Sequence, residues 1–210
     1  MAGAAGTAAV AASAAGMAHA QGEPARKAAA ASSAINQAIA AAGSSGPNPP
    51  FFTALSTSIR APGGKGLFIT FSAQTLLLTN SLNVNIAAPV GASFILENVG
   101  IQVRALLDAN PISVAPASPP VTVVTLDNLI RSTAWVNIAV PAVTVDILNL
   151  VLSTGGAHSF TWIAPNVGVG VHTVAIEARF LCANATAGIA ASVIAAVLGP
   201  RTLTIEEVKL

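Results

Sequence analysis

Few residues in this chain could do chemistry: three histidines, one cysteine, two tryptophans and eight Asp and Glu side chains among 210 residues. A metal site needs several nitrogen, sulfur or carboxylate donors converging on one point, and the best available pair is His158 and His172. Between them Ala164-Pro-Asn-Val-Gly168 reads as a turn, which places the two histidines on the arms of a hairpin centred between Asn166 and Val167. In that register His158 faces Ala175 and His172 faces Thr161. Side chains alternate across a strand, so the two imidazoles are expected on opposite sides of the sheet, as ordinary strand-end histidines.

The other reactive types are as sparse. No Gly-x-Ser-x-Gly elbow occurs, and no Ser, His and Asp share a diagnostic local context. Asp108, Asp127 and Asp146 each stand alone near a strand end or loop, outside the spaced Asp/Asn series of a calcium loop, and read as turn caps or solvated groups. Trp162, in Phe160-Thr-Trp-Ile163, is expected in the core; Trp135, in Thr133-Ala-Trp-Val-Asn137, could pack or offer a stacking platform for a sugar. Cys182 falls in phase with Val174, Ile176, Ala178 and Phe180 and is expected to be buried and quiet. Asn184-Ala-Thr186 is a glycosylation sequon of low specificity. Catalytic residues, cofactor-binding residues and metal ligands are therefore all expected to be none, and the chain is not expected to be an enzyme.

Charge narrows the partners. Asp, Glu, Lys and Arg make up 8% of the chain and the formal net charge is +1, against about a quarter charged residues in ordinary soluble domains. The basic residues are scattered singly apart from Arg26-Lys27, and Tyr is missing, so a nucleic-acid footprint is absent. Hydrophobic content reaches 53%, yet Thr, Ser, Asn, Gly and Pro interrupt every apolar run before it reaches membrane-spanning length.

The chain divides by composition. Residues 1–50 hold 21 alanines, with Gly, Ser and Pro filling much of the rest, so they lack the bulky groups a packed core requires. This arm is expected to be partly helical: Pro24 to Ala42 shows an early proline, strong helix formers, Ile35 and Ile39 at i, i+4, and Gly43 as a stop. Gly43-Ser-Ser-Gly-Pro-Asn-Pro-Pro50 then reads as a linker. The arm is expected to be dispensable for folding and to need a partner surface to become ordered. Its first segment, ending Met17-Ala18-His19-Ala20, is similar to the small-residue cleavage site of a secretory signal, although no basic residue precedes Arg26.

From Phe51 onward the apolar period becomes two. Leu67, Ile69 and Phe71, then Ile101, Val103 and Ala105, then Val174, Ile176 and Ala178 alternate with polar or smaller neighbours, which predicts half-buried strands. Further strands are expected near residues 53–60, 75–86, 121–126, 133–140, 145–153, 158–164, 189–198 and 201–209. Turns are expected at Ala61-Pro-Gly-Gly-Lys-Gly66, Asp108-Ala-Asn-Pro111, Ala117-Ser-Pro-Pro120, Thr154-Gly-Gly156, Ala164-Pro-Asn-Val-Gly168 and Gly199-Pro200. Many short strands without crossover helices predict an all-β domain over residues 51–210, an antiparallel β-sandwich or jelly roll.

Leu55-Ser-Thr-Ser-Ile-Arg60, Pro62-Gly-Gly-Lys-Gly-Leu-Phe-Ile-Thr-Phe-Ser72, Gly170-Val-His-Thr-Val-Ala-Ile-Glu-Ala-Arg179 and Arg201-Thr-Leu-Thr-Ile-Glu-Glu-Val208 together resemble uncharacterised, exported bacterial β-sandwich proteins. That resemblance implies the fold and an extracellular or cell-surface setting, and it carries over no catalytic residue. Near-zero net charge and a surface of small residues leave little to oppose association. The expected function is that of a structural protein binding copies of itself, in a fibre, coat or surface assembly; the alternative is a lectin-like module that recognises a glycan through its loops.

Overall fold

A computed structural model describes residues 26–41, 49–85, 92–114, 121–136, 146–187 and 190–209. The signal-like segment, the Gly/Ser/Pro linker up to residue 48, the turn expected at Ala117–Pro120 and the residues 137–140 of an expected strand lie outside them. Among the described residues eight strands run in chain order: β1 Lys27–Ser32, β2 Asn36–Ala41, β3 Phe52–Asn85, β4 Ala92–Leu107, β5 Asn110–Pro111, β6 Val124–Val136, β7 Asp146–Ala187 and β8 Ala190–Val208. All pairings are antiparallel. The order is β1-β8-β3-β7-β4-β5, with β2 also on β8 and β6 on β4.

The frame is a long two-stranded ribbon in which β3 and β7 pair from Phe52↔Ala178 to Asn85↔Asp146. Two turns expected inside it are instead places where the chain continues. Pro62-Gly-Gly-Lys65 and Pro165-Asn-Val-Gly168 lie opposite each other, and the register slips there, through Pro62↔Val169, Lys65↔Val167 and Leu67↔Ala164. Gly63 and Gly64 take φ of 94° and 65°, and Asn166 takes 53°. Positive φ is the conformation these residue types tolerate; here it forms a bulge on each strand, and bulges bend strands without reversing them. Thr154-Gly-Gly156 likewise remains in strand, paired with Leu77, Leu76 and Thr75.

Past the bend the ribbon acquires different neighbours. Gly66 to Asn83 of β3 pair with β8, whereas Val174 to Ala187 of β7 pair with β4. The two parts face each other: the Thr75 hydroxyl in β3 donates to Asp127 in β6, and Arg201 in β8 donates to the Ala54 carbonyl at the other end of β3. The inward phase holds one core that includes Leu67, Ile69, Phe71, Trp162, Ile176, Ile101 and Leu203. The fold is thus an antiparallel β-sandwich, as the period-two patterning predicts.

The arm is a correction. Where a helix is expected, β1 and β2 pair with β8 through Lys27↔Glu206 to Ser32↔Arg201 and Asn36↔Leu198 to Ala41↔Val193. Alanine favours helix, but an isolated short helix is marginal in water, and the open edge of β8 offers a full set of backbone partners. Small side chains fit there, and Ala30 is buried. Residue 50 is therefore a boundary of composition, while the sheet extends into the arm.

Candidate functional site

With β7 continuous, the hairpin expected around Asn166 is absent, and His158 and His172 do not face one another across a turn. His158 lies opposite Ala73 and His172 opposite Ile59. Each is in phase with the buried residues of its own part of the strand, His158 with Trp162 and His172 with Val174 and Ile176, as the even spacing between them requires once they lie on one continuous strand rather than on two arms of a hairpin. This replaces the expectation of opposite faces. The two meet different carboxylates.

His172 is held at the β4–β5 hairpin. Asp108 and Ala109 form its two-residue loop, with φ of 50° and 67°, the pattern of a type I′ turn. The Asp108 N–H donates to the Thr173 carbonyl at 2.9 Å, and the Thr173 N–H donates back to Asp108 Oδ1 at 2.9 Å. Nδ1 of His172 lies 2.7 Å from Asp108 Oδ2, and Nε2 lies 3.0 Å from the Gly168 carbonyl. Both partners only accept, so the ring that satisfies both is the imidazolium. The hydrogen bond to Asp108, followed by that to Gly168, holds the imidazole above its ordinary value; the same bond to His172, with that from Thr173, holds the Asp108 carboxyl below its own. His158 Nε2 lies 3.4 Å from Asp127 Oδ2, which also accepts from Thr75. No group of three His, Cys, Asp or Glu among the described residues could hold a metal ion.

Arg201 carries no motif in the sequence, and its role emerges only in the fold. It is buried on β8, and its guanidinium donates to Ala54 O at 3.0 Å, Ala34 O at 2.9 Å, Gly199 O at 3.1 Å and Asn36 Oδ1 at 2.7 Å. Burial lowers its proton affinity from the ordinary arginine value. These bonds tie the segment between β1 and β2 to both faces of the sandwich. Its one signal in sequence was an arginine following Gly199-Pro200 at the point where β8 changes partner. Two further arginines share one ring, with Arg104 and Arg179 4.2 Å and 4.7 Å from the Phe51 centroid. Arg104 is also paired to Glu177 at 2.6 Å, and Arg179 Nε donates to Gln102 at 2.8 Å.

Trp162 is buried, with the Phe160 ring 4.7 Å away edge-on. Trp135 lies in β6 opposite Ser93, and Asn184 lies in β7 opposite Glu97; their side chains, like that of Asp146, lie outside the described residues. Cys182 shares the inner phase as expected but is half-buried rather than buried, near the end of β7, and burial pushes its thiol up. An open groove of about 750 Å³ beside the arm is lined mostly by small residues, among them Ala31, Ser33, Ser72 and Ala157, together with Gln74 and Arg201.

The surface is more unusual than any cavity. Val169 and Val171 are 80% and 70% exposed, and Ile163, Leu152, Ile130 and Ile35 are also large and exposed. Val169 and Val171 lie between Gly168 and His172, interrupted only by Gly170. Among the described residues no helix is long and apolar enough to cross a membrane.

No protein-family model and no curated protein matches the sequence. Among solved structures, the chain is similar to a mutant VP2 protein of infectious bursal disease virus in derived T=1 particles, with 13% identity, 88% of this chain and 36% of that chain covered, and a TM-score of 0.30. It is similar to the Gx strain structure of the same virus with 12% identity, coverage of 89% and 42%, and a TM-score of 0.30. The chain spans less than half of either, and likeness at this level is too weak to imply a function.

Proposed function

We propose that this protein is a structural subunit that associates with copies of itself. The observation that carries the reading is the exposed aliphatic surface at the ribbon bend, where Val169 and Val171 stand in solvent on a chain with 8% charged residues and a net charge of +1. Contiguous exposed apolar groups favour burial against another surface, and a nearly neutral protein has little long-range repulsion to keep copies apart. Association of this kind is driven by apolar burial and not by ion pairs, so salt should not dissolve it. Sedimentation of the purified chain over a range of concentrations tests the reading: mass should rise above the monomer with concentration and hold in high salt. A salt-labile complex would instead assign the contact to charges.

A further inference from the structure

The exposed Val169 and Val171 belong to the segment Gly168-Val-Gly-Val-His172, whose two glycines give it little conformational preference of its own. Gly170 takes a φ of 153°. The segment is shaped by contacts on either side. Val169 lies over Gly63, where a Cβ would collide with its side chain. The His172 ring reaches back four residues, with Nε2 3.0 Å from the Gly168 carbonyl, while Nδ1 lies 2.7 Å from Asp108 Oδ2 on the β4–β5 hairpin. Only the imidazolium can donate to both acceptors. A neutral ring has a single N–H, which the carboxylate retains, so loss of the proton turns the Nε2 lone pair toward the Gly168 oxygen and opens that end of the segment.

We infer that the proton on His172 regulates self-association: the protonated ring clamps Gly168 to the β4–β5 hairpin and holds Val169 and Val171 in one arrangement, and deprotonation releases them. The inference rests on the association proposed above and adds its regulation. The charged groups on the elements around the ring are few. The hairpin brings Asp108, and β3 brings Arg60 opposite Val171 and Lys65 opposite Val167. Lys65 is paired with Glu207 at 3.3 Å, and Arg26 donates to the Arg60 carbonyl at 3.0 Å. On β7 itself no Asp, Glu, Lys or Arg lies between Asp146 and His172. Histidine is the side chain whose charge ordinarily changes between about pH 5.5 and 8.5, so the proton on this ring is what pH alters at the bend. A released segment must be ordered again before its valines can be buried, and that entropy opposes association. Association is therefore tighter with the ring protonated, and it weakens as pH rises through the elevated value that His172 holds in the folded chain.

Sedimentation equilibrium of the intact chain at about pH 5.5 and about pH 8.5 tests the clamp. The association constant should be about two- to fivefold higher at the acid value, the scale of one partly exposed ion pair. His172→Gln should associate equally at both, and His158→Gln should keep the dependence. Binding and protonation are linked reciprocally, so a proton NMR titration should find that association raises the proton affinity of His172 by the same factor. Equal association of the unmodified chain at both pH values, or a pH dependence that survives in His172→Gln, would overturn the clamp while leaving self-association standing. A chain that stays monomeric at every concentration and pH would overturn both. Should His172→Gln fail to fold, the NMR titration of the unmodified chain decides: a His172 midpoint that is the same in the dilute and the associated protein removes the clamp.

Discussion

His172 and Asp108 form a charged couple across two elements, 2.7 Å apart between Nδ1 and Oδ2, with the second ring nitrogen committed to the Gly168 carbonyl. It joins the β4–β5 hairpin to the bulge of β7. Folding raises the affinity of His172 for its proton, so this contribution is fully present below the ordinary histidine value of 6.5 and is lost as pH rises through the elevated folded value. Folding lowers that of Asp108, so its part is present above 3.8 and is lost as pH falls through the lowered folded value. The Asp108 side chain is 48% exposed, and solvent screening holds the couple to about 0.5–1 kcal/mol. Asp108→Asn and His172→Gln should each lower Tm by about 2 °C near pH 5.5, with the deficit shrinking at alkaline pH. Equal deficits at both pH values would mean that packing, and not charge, holds the hairpin.

Ala109 occupies the left-handed region with φ of 67° although it has a Cβ. Ala109→Gly should therefore raise stability by about 1 kcal/mol, read from chemical denaturation. The reverse substitutions at the ribbon bend should destabilise, and unequally. A Cβ at Gly64 meets nothing, leaving backbone strain alone, while one at Gly63 would collide with the Val169 side chain. Gly63→Ala is expected to cost more than Gly64→Ala, and the opposite order would show that the bend is not shaped as described.

Arg201 should be the least replaceable surface-type residue. Arg201→Lys retains a cation but cannot serve four acceptors spread around a planar fork, and each buried acceptor left unpaired costs about 1–3 kcal/mol. The variant should lose at least about 3 kcal/mol, and limited proteolysis should cut within residues 26–41 before the core unfolds. A variant as stable and protease-resistant as the unmodified chain would remove Arg201 from its anchoring role.

The strands were legible because period two survives wherever one face is buried: Leu67, Ile69 and Phe71 were assigned to the core from alternation alone, and all three are buried. The connections were less so. Pro62-Gly63-Gly64 and Pro165-Asn166 carry turn chemistry, and nothing local distinguishes a reversal from a pair of opposed bulges; that depends on the partner strand more than a hundred residues away. For the same reason the faces of His158 and His172 could not be derived without the register. The arm misled because helix propensity is a local quantity, whereas β1 and β2 form through a distant edge on β8. Arg201 looked like any lone arginine until the fold brought Ala34, Asn36 and Ala54 around it.

Self-association through exposed aliphatic surface is the central claim, and sedimentation equilibrium of the chain beside Val169→Ser with Val171→Ser tests it most directly. The unmodified protein should show a weight-average mass that climbs above 20.8 kDa with concentration and persists in high salt, and the double variant should shift toward the monomer while melting at the same temperature. A single 20.8 kDa species at every concentration for the unmodified chain would contradict the account.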